Sequence, residues 1–165
     1  MEFKKLESGS IHEVESKFVK EWQEKDILEK TIKHREGCPD FVFYDGPIYA
    51  NAKPGIHHVF AKTIKDAFCK YKTMSGYRVL RKIGLDTHGL PIEVNVEKKL
   101  GFKSKADIEK LGIENFCSEC KAETDSNIDE VKKVTDMMGQ FIDCDNPYVT
   151  CSNDYIESEW WIVNE

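Results

Sequence analysis

Phe41-Val42-Phe43-Tyr44-Asp45-Gly46-Pro47-Ile48-Tyr49-Ala50-Asn51-Ala52-Lys53-Pro54-Gly55-Ile56-His57-His58 passes from a short apolar segment, through a loop of Gly, Pro and Asn, to two adjacent histidines. The continuous apolar run Phe41 to Tyr44 predicts a buried parallel strand. From about His57 onward Phe60, Ile64, Ala67, Phe68, Tyr71 and Met74 recur with helical period, which predicts a long helix and assigns Phe60, Ile64, Phe68 and Tyr71 to the core. Gly76 stands where a left-handed cap would close that helix. Tyr77 to Ile83 reads as the next strand, giving a strand–helix–strand unit with a right-handed crossover. A loop at such a junction gathers backbone N–H groups, the positive end of a helix dipole and, here, two imidazoles. That combination suits a polyphosphate.

The second strand is expected to end in Gly84-Leu85-Asp86-Thr87-His88-Gly89-Leu90-Pro91. This puts Asp86 and His88 on the same carboxyl edge as the first loop, the edge where open α/β sheets bind ligands. Pro91 suits the first turn of another helix, with Ile92, Val96 and Leu100 on one face and Gly101 closing it. Upstream, Ser10-Ile11-His12-Glu13 fits a capping box and Val14, Phe18 and Trp22 form one apolar stripe, so a first helix runs to about Gln23. Downstream, a short helix spans Ser104 to Leu111. A longer helical pattern runs from Ile113 to Met138, weakened by the polar cluster Ala122 to Asn127. Asp145-Asn146-Pro147 marks a turn, and Asn153 reads as the N-cap of a last helix carrying Trp160 and Trp161. Two adjacent indoles beside the end of the chain predict a partner that covers them.

A chain of 165 residues with 40% hydrophobic and 33% charged residues suffices for one domain with a real core. No segment approaches the ~20 apolar residues of a membrane span, and Met1-Glu2-Phe3-Lys4-Lys5 lacks a signal core, so the expected location is cytoplasmic. The net charge of −6 argues against non-specific nucleic-acid binding, which needs many cations at phosphates. Lys62, Lys65, Lys70, Lys72, Arg78, Arg81 and Lys82 could still form a local basic patch, although such runs are ordinarily a solvated face. Lys65 and Asp66 either meet partners across the fold or face water. The six cysteines are too sparse for a disulfide-stapled fold. Cys117 and Cys120 have the spacing of half a zinc site without a second pair, so no metal is expected.

Taken together, Phe43-Tyr44-Asp45-Gly46-Pro47, the stretch Ala61 to Tyr77 with Lys65-Asp66 and Tyr71-Lys72-Thr73-Met74, Asp86-Thr87-His88-Gly89-Leu90-Pro91-Ile92-Glu93, and Tyr155-Ile156-Glu157-Ser158 with Trp160-Trp161 resemble the N-terminal part of the catalytic domain of class I aminoacyl-tRNA synthetases. Asp86 to Pro91 is similar to the isoleucine branch rather than to the leucine, valine or methionine branches. The resemblance implies that the loop bearing Ile48, Asn51, Pro54, Gly55, Ile56, His57 and His58 binds ATP, with His57 and His58 as the catalytic pair. It implies that Gly46, Pro47, Asp86 and His88 bind the amino acid, Asp86 through the α-ammonium, a charge-assisted contact roughly twice as strong as a neutral one. The family's tetrad, commonly His-Ile-Gly-His, is Gly55-Ile56-His57-His58 here, so one imidazole has moved by two positions. Leu85 stands where Trp is usual, Ile48 where Pro is usual, Ala52 where Gly is usual, and Gln140-Phe141 where an aromatic pair is common.

The implied fold is α/β, a partial Rossmann-like parallel sheet with flanking helices. A helical extension over 1–40, a strand–helix–strand nucleotide-binding half over 41–101 and a helical extension over 102–165 ending at a truncation are the expected divisions. The implied function is the N-terminal portion of an isoleucine–tRNA ligase, with ATP, Mg²⁺, isoleucine, tRNA(Ile) and the remainder of the synthetase as companions, and no membrane. As an isolated fragment it is expected to lack activity, because the family's second, lysine-rich ATP signature has no counterpart here. The alternatives are a non-enzymatic remnant that binds a nucleotide or a protein, and a small metal-binding module built on Cys117 and Cys120.

Overall fold

In the computed structural model, which describes residues 10–165, three short parallel strands form one sheet in the order β1-β2-β3. They are β1 (Ile48–Tyr49), β2 (Lys82–Asp86) and β3 (Asp143–Val149). The crossover from β1 to β2 is helix α3 (Ile56–Met74), and the crossover from β2 to β3 runs through α4 (Leu90–Leu100), α5 (Lys105–Leu111) and α6 (Ile113–Met137). Two helices, α1 (Ile11–Glu24) and α2 (Ile27–Lys33), precede the sheet, and α7 (Asn153–Asn164) follows it. This is the α/β architecture expected of alternating strands and helices. The core is small: Ile48, Ile83 and Leu85 from the sheet meet Val131 of α6 and Ile142, with Ile128 and Val149 packed around them.

Both expected strands lie farther along the chain than their apolar runs. Phe41 to Tyr44 carries no strand; its neighbour Asp40 makes a single parallel bridge to Arg78, and regular pairing resumes only at Ile48↔Leu85 and Tyr49↔Asp86. Tyr77 to Ile83 becomes Lys82–Asp86, so Gly84, Leu85 and Asp86 belong to the strand rather than to its exit loop. Apolar content alone fixed neither boundary, since Val42 and Tyr44 are exposed while Ile48 and Leu85 are buried. Asp145-Asn146-Pro147 lies inside β3. Lys82 pairs with Asp143 but Gly84 with Tyr148, and the surplus residues form a bulge. Its turn chemistry is real, because the Asp143 carboxylate accepts from the backbone N–H groups of Asp145 and Asn146 at 2.9 and 3.0 Å.

The helix ends follow their capping residues. Ser10 and Glu13 close a reciprocal capping box at α1. Pro91 opens α4, and Gly101 ends it at φ +72°. Helix α7 is capped by Ser152, whose side chain accepts from Tyr155 N–H, one residue before the expected Asn153. Helix α6 runs unbroken through Ala122 to Asn127. Two members of the polar cluster are tied to other elements, Asn127 donating to the Ala50 carbonyl at 3.1 Å and Glu123 pairing with Lys99 at 2.7 Å, while Thr124 donates to the Cys120 carbonyl one turn back in the same helix.

Helix α3 has the expected length but the opposite orientation. Phe60, Ile64, Phe68 and Tyr71, assigned to the core by their period, are 68%, 43%, 63% and 61% exposed, while Lys62 and Cys69 on the opposite face are buried. Periodicity identifies an apolar face; it cannot say which partner covers it. The inward face is polar and paired. Lys65 reaches Asp45 at 2.7 Å, Asp66 accepts from Phe141 N–H at 3.0 Å, and Lys70 donates to the Gly139 carbonyl at 3.0 Å. Most of the basic residues of this region are therefore drawn into the fold instead of forming a patch, Lys82 alone of them being exposed, and Arg81 is only 4% exposed and bound to the Cys69 and Phe141 carbonyls. Phe68→Ala should change the stability of this chain by no more than about 0.5 kcal/mol in urea denaturation. A core phenylalanine would cost roughly 3–5 kcal/mol.

Candidate active site

Two loops meet at the carboxyl edge of the sheet, and their backbones are tied there. Ala50, immediately after β1, donates its N–H to the Asp86 carbonyl at 2.8 Å, so the end of β2 and the start of the first loop are neighbours. Asn95 of α4 donates to the Asn51 carbonyl at 2.8 Å, and Asn127 of α6 holds the Ala50 carbonyl. Tyr49 donates its hydroxyl to the His88 carbonyl at 2.8 Å, locking the second loop to the first strand. Sequence patterning singled out none of Tyr49, Asn95 and Asn127; two of the three lie on helices far along the chain.

Asp86 closes β2 and is half-buried, and His88 is exposed two residues later. Both converge on Thr150, which directly follows β3 and is buried. The Thr150 hydroxyl lies 2.8 Å from His88 Nδ1 and 3.3 Å from Asp86 Oδ1, and accepts from Thr87 N–H at 3.0 Å. Thr87 Oγ1 in turn accepts from Cys151 N–H at 3.1 Å.

His57 and His58 open α3 with ring centroids 3.9 Å apart. His58 Nδ1 accepts from the Gly55 N–H at 3.0 Å, which satisfies one of the helix's free amides and leaves the ring proton on Nε2. Burial, with His57 and Lys62 nearby, pushes the His58 imidazole below its usual pKa. At neutral pH His58 is therefore a neutral N–H donor. His57 folds back over Gly55: a Cβ built on Gly55 would lie 2.8 Å from His57 Cε1 and 3.0 Å from its Nδ1. The ring of residue 57 thus fills the space where a side chain of residue 55 would begin. No hydrogen bond or ion pair joins the histidine pair to Asp86 or His88; the two groups share an edge of the sheet. Asn51, Pro54 and Gly55 are half-buried and Ile56 is exposed, whereas Ile48 belongs to the core.

Gly46 and Pro47 are exposed, and beneath them Asp45 is buried. Its carboxylate faces two amines of α3, Lys65 at 2.7 Å and Lys62 at 3.6 Å, and its carbonyl accepts from the Tyr148 hydroxyl of β3. Burial depresses the Lys62 ammonium below its usual value, and the Asp45 carboxylate offsets this only in part. At 3.6 Å the pair is ionic without a hydrogen bond, and Lys62 Nζ and Asp45 Oδ2 both lack one. Asp45 therefore ties the Gly46-Pro47 segment to a helix on one side and a strand on the other. Tyr148 reaches it only because residue 84 is glycine, since a Cβ there would lie 2.2 Å from the phenol ring.

Among the described residues no three His, Cys, Asp or Glu side chains converge as a metal site. Cys117 and Cys120 are free thiols on α6. No helix of the described residues is long and apolar enough to cross a membrane.

Residues 17–165 match the family model of class I tRNA synthetases for I, L, M and V. The isoleucine–tRNA ligase of Clostridium kluyveri is 44% identical over 164 residues, which are 99% of this chain and 16% of that protein. The enzyme of the same name from Bacteroides thetaiotaomicron is 43% identical, over 99% of this chain and 14% of its own length. That of Clostridium novyi is 46% identical over 98% of this chain and 16% of its own. Among solved structures, a LeuRS of Agrobacterium radiobacter, in a ternary complex with tRNA and LeuAMS, superposes with a TM-score of 0.68 at 21% identity, covering 94% of this chain and 18% of that one. The chain thus spans about one-sixth of the relatives it matches, and with the family model covering residues 17–165 it belongs to the class I tRNA synthetases of the isoleucine, leucine, methionine and valine group.

Proposed function

We propose that this chain supplies the N-terminal part of the active site of an isoleucine–tRNA ligase, in which isoleucine is activated by ATP and passed to tRNA(Ile). The observation that carries the reading is the pairing of two differently equipped loops on one sheet edge. One presents imidazole donors at a helix start, and the other presents a carboxylate beside an exposed histidine. ATP takes the first loop, with its phosphates toward His57, His58 and the free amides of α3. Isoleucine takes the second, its α-ammonium against Asp86 near His88 and its body over Gly46 and Pro47.

The isoleucine carboxylate attacks the α-phosphate of ATP in line, an oxygen–phosphorus bond forms, and pyrophosphate leaves. No protein nucleophile is needed, so positioning and donors aimed at the phosphate carry the catalysis. His58, neutral with its proton on Nε2, can donate to a phosphate oxygen without first losing a charge. Magnesium fits as a companion of the triphosphate, whose oxygens supply ligands that the described residues do not gather. The remaining polypeptide of a full-length synthetase completes the ATP site and covers the apolar face of α3 together with Trp160 and Trp161, both roughly two-thirds exposed. A division at 1–40, 41–101 and 102–165 and a cytoplasmic location go with this assignment.

Isoleucine-dependent ATP–pyrophosphate exchange tests it, first with this chain and then with the rest of a synthetase supplied as a second polypeptide. Exchange that appears only on complementation is the expected result. Exchange with leucine or valine but not isoleucine would overturn the substrate assignment, and none with any amino acid would leave the binding remnant as the function.

A further inference from the structure

The Thr150 hydroxyl sits within hydrogen-bonding range of two groups assigned to the amino acid, Asp86 and His88, and the direction of its single proton bears on both. From this geometry we infer that Thr150 is a positioning residue that fixes His88 in the Nδ1–H tautomer while orienting the Asp86 carboxylate. Thr150 Oγ1 has four neighbours: Thr87 N–H at 3.0 Å, Asp86 Oδ1 at 3.3 Å, His88 Nδ1 at 2.8 Å and, at the longest distance, Thr87 Oγ1 at 3.4 Å. A backbone N–H can only donate and an ionised carboxylate can only accept. The hydroxyl proton therefore goes to Asp86, where the charge strengthens the bond. The oxygen takes the Thr87 N–H, and its remaining acceptor site faces His88 Nδ1, which must supply a proton of its own. Thr87 Oγ1 accepts from Cys151 N–H at 3.1 Å, and its 3.4 Å contact to Thr150 is the weakest of the four, so the 2.8 Å contact to His88 takes the remaining acceptor site. The strand end, the loop and the β3 terminus are thus bound through one buried side chain that is 4% exposed.

The tautomer has a consequence at the surface. With the proton on Nδ1, the Nε2 of the exposed His88 carries a lone pair, and Asp86 keeps its second carboxylate oxygen free. Two acceptors then stand side by side for a group with several N–H donors and no lone pair, which is a primary ammonium. A ligand with a hydroxyl in place of the ammonium brings one proton and no positive charge. This selection rests on the ligase reading above; the tautomer does not.

The test separates the two. Long-range ¹H–¹⁵N NMR of the chain, recorded with the imidazoles neutral and assigned by loss of signals in His88→Gln, reads the ring tautomer directly. The expected result is His88 mainly protonated on Nδ1 in the parent, mainly on Nε2 in Thr150→Val, and back on Nδ1 in Thr150→Ser. A parent His88 protonated on Nε2 overturns the inference, as does a folded Thr150→Val with an unchanged tautomer. If Thr150→Val does not fold, the parent and Thr150→Ser decide. In the complemented exchange assay Thr150→Val should raise the isoleucine KM roughly tenfold, in the range of one hydrogen bond to a charged group, and leave the ATP KM unchanged. A correct tautomer with no isoleucine dependence in any variant would count against the ligase reading alone. A wrong tautomer in an isoleucine-dependent enzyme would count against Thr150 alone.

Discussion

Asp45→Asn should destabilise the chain by about 3–5 kcal/mol at neutral pH, read as a shift in the urea midpoint, because it leaves the Lys62 ammonium buried with no opposing charge. Lys62 and Asp45 side chains are 6% and 1% exposed, so water cannot take over the role of the carboxylate. Lys62→Met should cost far less. It removes the charge that burial penalises most and leaves Asp45 its shorter contact to Lys65 at 2.7 Å. The ordering of the two variants is the diagnostic, since a surface pair would show two small and equal effects. The pH dependence has a definite sign. The folded-state pKa of Lys62 lies below its unfolded value, so the unfolded chain binds more protons between the two. Stability from this residue therefore rises as the pH passes from the folded value toward 10.5 and the amine becomes neutral. In Asp45→Asn the folded value falls further, so the cost of the substitution should shrink as the pH rises from the variant's folded value to the parent's, and level off above it. A cost that stays constant up to pH 10 would show that the carboxylate acts through packing rather than through charge.

How much of this was legible in the residues depends on whether the deciding partner is near in sequence. Capping signals act within four residues, and Ser10, Pro91 and Gly101 fall where their chemistry places them. The parallel sheet, the carboxyl-edge location of Asp86 and a helix starting at about His57, observed from Ile56, are likewise local inferences from a strand–loop–helix pattern. Burial is different. The α3 stripe of Phe60, Ile64 and Phe68 has the period of a core face, but a core face needs an opposing surface, and within the described residues none covers it. Asp45, Lys62 and Tyr148 could not be recognised as one network, nor Thr150 as the partner of Asp86 and His88, because these contacts span 17 to 103 positions. The departure from the family tetrad was visible as letters, yet its meaning needed coordinates. The closeness of the His57 ring to the Cβ position of Gly55 supplies a steric reason for treating the two changes as one.

That closeness leads to the largest functional effect expected here. In the complemented exchange assay, His57→Ala should lower kcat by roughly 10² to 10³, the cost of removing one preorganised donor from a transition state that builds charge on phosphate. Gly55→His alone should not add a donor, because its Cβ would sit 2.8 Å from the existing His57 ring and one imidazole must leave the site. Gly55→His combined with His57→Gly should recover most of the activity, since a ring attached at residue 55 starts from the space that the His57 ring now fills. Gly55 lies at φ −87°, an ordinary extended conformation, so histidine is accepted there without backbone strain. Recovery in the double variant and not in either single one is coupling between two positions that share one space, and a double-mutant cycle measures it. Additive losses would mean that His57 only caps the helix surface and that His58 alone serves the phosphate.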